Sequence, residues 1–353
     1  MKKIRFKMSM LLIMITAFSC DEPVTVVTNI VHSDGSVTRK IEMRNIKNNF
    51  EKSGLQVPFD SSWIIRDTCE IGLKGDTTWI KRAEKVFRNV GEINATYQND
   101  SSSNGKFPRH ASFSRKFRWF NTLYRFSETL EKRVSCGYSI RNFLNEKELY
   151  YFYSPDDLKY SKLHGPDSLE YKMLADTIDE KNMDWTLKNF AAAWIEEFSK
   201  LTAGIAGPDL SAELNGAIED RFIEAINEEQ DAHGWSPDLS KKILGDENGV
   251  KFKKEADSAI SVAANRIVID YKNYSVRIVM PGKLIRTNGY IDSTRNLIWP
   301  VNADLFFSEN YEMWAESKTI NVWAWIVSGV FLVFVATGIT IKRRSRRVAG
   351  PKP

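Results

Sequence analysis

Val322–Ile341, VWAWIVSGVFLVFVATGITI, is twenty residues without a charge, and the six residues after it, Lys342–Arg347, carry five cations. At 1.5 Å per residue an α-helix of that length covers about 30 Å, the hydrocarbon thickness of a bilayer. Trp314, Trp323 and Trp325 stand at its upstream edge, where amphipathic rings favour the membrane–water interface. The alternative is a buried core helix, and the flanking rings and cations argue against it. The reading is one transmembrane helix over 322–341 and a basic tail over 342–353, in which Lys342, Arg343, Arg344, Arg346 and Arg347 mark the cytoplasmic side.

The other end completes the topology. Lys2–Lys7 is basic, Met8–Phe18 is apolar, and Ala17-Phe18-Ser19 has the small-x-small form of a cleavage site, so 1–19 reads as a signal peptide. Cys20 follows at once. The run ITAFSC resembles a bacterial lipobox, which implies a thioether lipid and an acyl group such as palmitate on Cys20; plain cleavage of the same bond is the alternative. Export followed by stop-transfer predicts a single-pass protein of the cytoplasmic (inner) membrane with the bulk of the chain periplasmic. Both ends of the body are then expected at one membrane.

Charge supports this division. The two ends carry ten of the chain's 50 bases and none of its 45 acids, so the body between them has a net charge of −5. A mildly acidic body lacks the clustered basic footprint of a nucleic-acid surface, and no nucleic-acid partner is expected. With Cys20 lipidated, Cys69 and Cys136 remain in an oxidising compartment, an even number; a disulfide between them is the expectation, and two free buried thiols the alternative.

Within the body the hydrophobic period changes twice. Residues 20–137 are β-rich: VTVVTNIVHSDGSVTRKIEM is a hairpin whose turn uses Gly35, SSWIIRDTCEIG and DTTWIKRAEKVFRNV read as strands, and FSRKFRWFNTLYRF as a strand with Phe113, Phe117, Tyr124 and Phe126 inward. Residues 138–264 are helical, with stripes at Trp185, Phe190, Trp194, Phe198 and Leu201 and at Leu210, Leu214, Ile218, Phe222 and Ile226. Ser236-Pro237 and Gly245 punctuate a short helix between them. Strands return over 265–320 in NRIVIDY, YSVRIVM, KLIRTN, NLIWPV and YEMWAES, with turn residues at Pro281-Gly282 and Asn288-Gly289. The fold class is α+β: an antiparallel sheet shared by N- and C-terminal strands, a helical insertion packed on it, and one C-terminal transmembrane helix.

Three stretches, FRWFNTLYRF, MPGKLIRTNG…NLIWPV and YEMWAESKTINVWAW, resemble uncharacterised membrane-anchored lipoproteins of Bacteroidota. The last also resembles the membrane-proximal β-domain of LppM-type lipoproteins. The resemblance implies an envelope protein with an α+β ectodomain and brings no site residues.

Chemistry is sparse. His32, His110, His164 and His233 are scattered; Glu229 and His233 have metal-ligand spacing without a third ligand. Ser103–Lys106 matches S-x-x-K but lies in a polar loop rather than at the start of a helix. Gly245–Lys251 is too short and too acidic for a phosphate loop. No catalytic constellation and no cofactor are expected. The leading expectation is a non-enzymatic cell-envelope lipoprotein with an extracytoplasmic interaction or structural domain and an envelope protein as partner. The alternatives are a lipid- or glycan-binding module, with Trp185, Trp194 and Trp235 available for a cleft, and a hydrolase without a recognisable motif.

Overall fold

The computed structural model describes residues 24–48, 50, 61–72, 75–100, 107–134, 137–205, 210, 216–228, 236, 238–267, 271–292 and 295–348. Residues 1–23 with Cys20, and Cys136, Leu214 and Trp235, lie outside them.

The N-terminal hairpin forms as its pattern demands. β1 (Val24–Val31) and β2 (Val37–Asn45) alternate inward and outward residues, burying Val27, Val31, Ile41 and Met43, and Gly35 turns between them at φ 93°. β3 (Ile64–Ile71) and β4 (Thr77–Phe87) follow, then α1 (Val90–Gln98), whose N-cap Asn89 accepts from the Glu92 amide. β5 (Arg109–Arg118) and β6 (Asn121–Leu130) make a second hairpin with a two-residue turn, Trp119-Phe120.

After the helical segment come β7 (Tyr274–Val279), β8 (Lys283–Thr287), β9 (Tyr290–Ile291), β10 (Leu297–Val301) and β11 (Tyr311–Ile320). The expected sheet of N- and C-terminal strands is present, as two sheets. One has the order β3-β4-β2-β1-β7-β10-β9, the other β5-β6-β11-β8. All pairs are antiparallel except β1 with β7. The division is decided at Pro281-Gly282, a turn signal that does not make a hairpin: β7 stays in the first sheet and β8 pairs β11 in the second. Their inner faces share one core, with Val27, Ile41, Phe87, Val276 and Trp299 from the first sheet and Ala111, Phe126, Leu130 and Met313 from the second.

The insertion comprises α2 (Glu146–Phe152), α3 (Asp156–Leu163), α4 (Ser168–Thr202), α5 (Ile218–Glu228), α6 (Leu239–Leu244), α7 (Asp246–Lys251) and α8 (Lys253–Ile267). The stripe Trp185, Phe190, Trp194 and Phe198 is buried on α4, whereas Leu201, three residues after Phe198, is 44% exposed. Helix α8 runs to Ile267, so the segment NRIVIDY opens as the last turn of a helix and not as a strand. Helix α6 begins after Asp238, two residues beyond the expected cap, because the Ser236 hydroxyl accepts from the Asp238 amide in a turn before the helix; Gly245 ends it as expected. Insertion and sandwich meet at a seam where Trp185 packs edge-on to Phe307 at 5.0 Å and donates to the Tyr138 carbonyl at 2.7 Å. Gly137 is required there: a Cβ would stand 2.2 Å from Asn189 Oδ1, which accepts from the Tyr138 amide.

β11 passes into α9 (Val322–Val348) through a single residue, Asn321. Val322–Arg344 of this helix is long and apolar enough to cross a membrane, and only 6% of its most apolar stretch is covered by the rest of the chain.

Candidate functional site

The most deeply buried ion pair among the described residues lies between the sheets. Arg39 of β2 and Glu128 of β6 form an ion pair at 2.8 Å with side chains 1% and 3% exposed. Asn29 of β1 closes the ring, its Oδ1 accepting from Arg39 Nε at 2.7 Å and its Nδ2 donating to Glu128 Oε2 at 3.2 Å. Tyr97 of α1 accepts from Arg39 Nη1 and donates to Glu128 Oε1 at 2.8 Å. Arg109 of β5 lies over the Tyr97 ring at 4.8 Å and donates to the Tyr274 hydroxyl at 2.9 Å. Burial, the largest single effect, would lower the Arg39 guanidinium, but the Glu128 carboxylate and the Tyr97 hydroxyl together outweigh it and hold the group above its ordinary value. Burial pushes the Tyr97 hydroxyl up, so it stays a donor. The ring is satisfied and sealed beneath both sheets. No substrate reaches it, and its role is to fix how the sheets face each other.

A second cluster lies among α2, α3 and α4, where Tyr150, Tyr151, Ser154, Leu158, Tyr171 and Leu174 with three lysines line a pocket of about 40 Å³. That is room for about three waters, against the ~300 Å³ or more of a small-molecule site. Its lysines are engaged: Lys147 pairs with Glu170 at 2.5 Å, Lys159 donates to the Phe152 carbonyl at 3.2 Å, and Lys162 lies over Tyr171 at 5.2 Å. Burial holds the Lys159 ammonium below its ordinary value.

The third cluster is where the sandwich meets α9. The Asn321 amide donates to the Phe120 carbonyl at 3.0 Å, its Nδ2 to the Arg118 carbonyl at 2.7 Å, and its Oδ1 accepts from the Thr122 hydroxyl at 3.0 Å. This residue therefore binds the tip of the β5–β6 hairpin and, through its own carbonyl, accepts the Ala324 amide of the first helical turn. Trp119 Nε1 donates to Ser328 Oγ at 2.9 Å, and its ring meets Trp323 at 5.1 Å. Phe117 stacks on Trp323 at 6.3 Å and Phe120 packs on Trp325 at 4.5 Å. Two residues apart on a helix are 200° apart. The hairpin tip therefore straddles α9 in an aromatic collar.

Of the expected interface anchors, Trp323 and Trp325 belong to this collar. Trp314 does not: it lies eight residues up, about 26 Å along the strand, with Arg125 at 4.6 Å and Arg286 at 5.7 Å from its ring. Phe117, expected inward, is 55% exposed, as are Trp119 and Phe120 at 48% and 40%. The overlooked signal is the turn itself, Trp-Phe where two-residue hairpins call for Asn, Asp or Gly. Lys342, Arg343 and Arg344 are exposed on the far end of α9; the side chains of Arg346 and Arg347 lie outside the described residues. Cys69, placed by expectation in the packed sheet, is an exposed free thiol on β3, an outer strand exposed along its whole length; its expected partner Cys136 lies outside the described residues.

Trp185 and Trp194 are 2% and 0% exposed core residues and line no cleft, while Trp235 is outside the described residues. His32 bonds Thr38 at 2.9 Å, His110 is exposed, and His164 stacks on Tyr160 at 4.0 Å; no group of three or more metal-ligating side chains occurs among the described residues. Glu229, His233 and Ser103–Lys106 lie outside them, and Gly245–Lys251 is a helix junction. No family model, no curated protein and no solved structure matches the chain.

Proposed function

We propose that the chain is a non-enzymatic, single-pass protein of the cell envelope, whose sandwich is a rigid stalk on the bilayer and whose helical insertion is the part presented to an envelope partner. The observation that carries this reading is the uninterrupted passage from β11 to α9 through Asn321, hydrogen-bonded on three sides. A tether would be a polar linker with freedom to swing; here the strand and the helix are one body. The register adds height. Tyr311 pairs Leu130 at one end of the second sheet and Ile320 pairs Asn121 at the other, so the insertion leaves β6 about 30 Å from the start of α9.

In this reading α9 is the principal anchor. The chain runs through β7 from Tyr274, bonded to Arg109, down to Pro281 beyond its end, whose carbonyl accepts from Ser317, and β1 lies parallel beside β7. Val24 is therefore at the remote end. Four residues span at most about 14 Å, so Cys20 falls short of the leaflet that α9 enters unless β1 peels or the sandwich tilts. The expectation of both ends at one membrane is thus at odds with the placement of β1.

The test is extraction of the full chain from membranes. Cys20→Ala should leave the protein in the membrane, whereas Val330→Arg with Phe334→Arg should release it, each central Arg costing about 2.5–3.5 kcal/mol on insertion. Retention of the double variant would overturn the anchoring role of α9.

A further inference from the structure

Sheet register brings cations into line just above the collar. Lys116 of β5, Leu123 of β6, Lys318 of β11 and Lys283 of β8 are in one cross-strand row and share the outer face of the sheet. Lys318 and Lys283 are directly opposite, a placement that like charges disfavour. All three lysines are exposed and none forms an ion pair among the described residues. The acid nearest along the chain, Glu316, two residues from Lys318 on the same face, is taken by Arg125 at 2.9 Å, and 113–127, 279–291 and 317–341 contain neither Asp nor Glu.

Below this row, one to three residues nearer the helix, come the exposed Phe117, Trp119 and Phe120. Their depth is fixed by a hydrogen bond. Trp119 reaches Ser328, six residues or about 9 Å along α9 from its start. The polar interfacial region on each side of a bilayer is about 5–8 Å thick. Counted from Val322 at the top of the hydrocarbon, a ring held at Ser328 by α9 lies among the acyl chains, with the lysine row about 7–10 Å higher, where the hydrocarbon meets the headgroups and lysine stems reach the phosphates.

We infer that the lower edge of the β5-β6-β11-β8 sheet is a lipid-binding surface: its aromatic tip enters the leaflet around α9 and the Lys116–Lys318–Lys283 row binds the phosphates of anionic lipids. The occupant is the bilayer and not a second protein, because the apolar part of the patch is continuous with the helix that crosses it. The inference rests on α9 spanning a membrane. It assigns the opposed lysines a ligand, and it explains an apolar residue pair at a hairpin turn.

The experiment places the photoreactive amino acid p-benzoylphenylalanine, one site at a time, at Phe120, Phe334 and His110 in the full chain. The chain is reconstituted in vesicles of phosphatidylglycerol and phosphatidylcholine in equal parts. Irradiation should give lipid adducts at 120 and 334 and none at 110, which is exposed on the same sheet about 26 Å above Arg118. Adducts at 120 should favour phosphatidylglycerol by about five-fold, the equivalent of one lysine–headgroup contact. Lys116→Ala, Lys283→Ala and Lys318→Ala together should return that ratio to the composition of the vesicle while adducts at 334 persist. Lipid adducts at 334 with none at 120, or adducts at 120 to a second protein chain, overturn the docking surface and leave the anchor standing. Absence of lipid at 334 removes the anchor and the inference with it.

Discussion

Between its two sheets the chain buries Arg39, Glu128, Asn29 and Tyr97 in one hydrogen-bonded ring. Deep in the helical insertion stand Trp194, Phe198, Phe222 and the alanines 191, 193, 259 and 263, while the insertion's buried carboxylate, Glu148, lies apart from them on α2 and pairs with Lys181 at 2.7 Å. The difference shows two ways of making a fold unique. Sheets can slide past one another without losing apolar area, and directional bonds between Arg39 and Glu128 penalise every register but one. Helices fix their own spacing by shape, here with small residues under large rings, so volume alone suffices.

The largest separation of the two cores should come with alkali. Burial raises the hydroxyl pKa of Tyr97, Tyr271 and Tyr311, and that of Tyr153 and Tyr290 to about 12, all in or beside the sandwich core. A pKa raised by folding stabilises fully below the unfolded value, about 10, and that contribution is lost as pH rises through the folded value. The insertion's cluster around Trp194, Phe198 and Phe222 contains no tyrosine among its described residues; Tyr138 and Tyr151, whose hydroxyl pKa values are also raised, lie in the smaller cluster at the seam with the sandwich. Tyrosine absorbance should therefore rise late and together with loss of the β signal in circular dichroism, above pH ~10, while helical signal persists. Simultaneous loss of both would erase the distinction.

Next in size is Glu128→Leu, which leaves Arg39 and Arg109 buried without their carboxylate and should cost about 3–5 kcal/mol by chemical denaturation. Adding Arg39→Met should recover most of it, since an apolar pair of similar volume is tolerated. A single variant costing less than 1 kcal/mol would show the ring to be dispensable.

Gly137→Ala tests the seam that joins the cores. The new methyl must displace Asn189, and the expected cost is about 1–3 kcal/mol, with fluorescence of Trp185 shifting in step. The smallest effects should be in the insertion: Leu244→Met, fully buried, should cost under about 1.5 kcal/mol because volume is conserved. Leu201→Ala, exposed, should stay within about 0.5 kcal/mol in thermal melts.

What could be read along the chain was whatever depends on neighbours in sequence. The apolar length of 322–341, the hairpin at Gly35, the helical stripe from Trp185 to Phe198 and the order β-α-β each follow from period and turn chemistry within a few residues. The candidate site was hidden for the same reason. Arg39 and Glu128 are 89 residues apart and look like ordinary solvent-facing charges in their strands; Trp119 and Ser328 are 209 apart. FRWFNTLYRF showed its aromatics, and the alternation of a strand placed Phe117 inward, but only the docking of α9 left it exposed beside Trp323. The sequence by itself determined the elements, their order and the apolar helix, because hydrogen bonds along a helix and alternation along a strand are local. Tertiary structure alone decided which sheet each strand joined, which charges were sealed and which aromatics were left at the edge, because those outcomes are set by strands and helices that meet only after the chain has closed on itself.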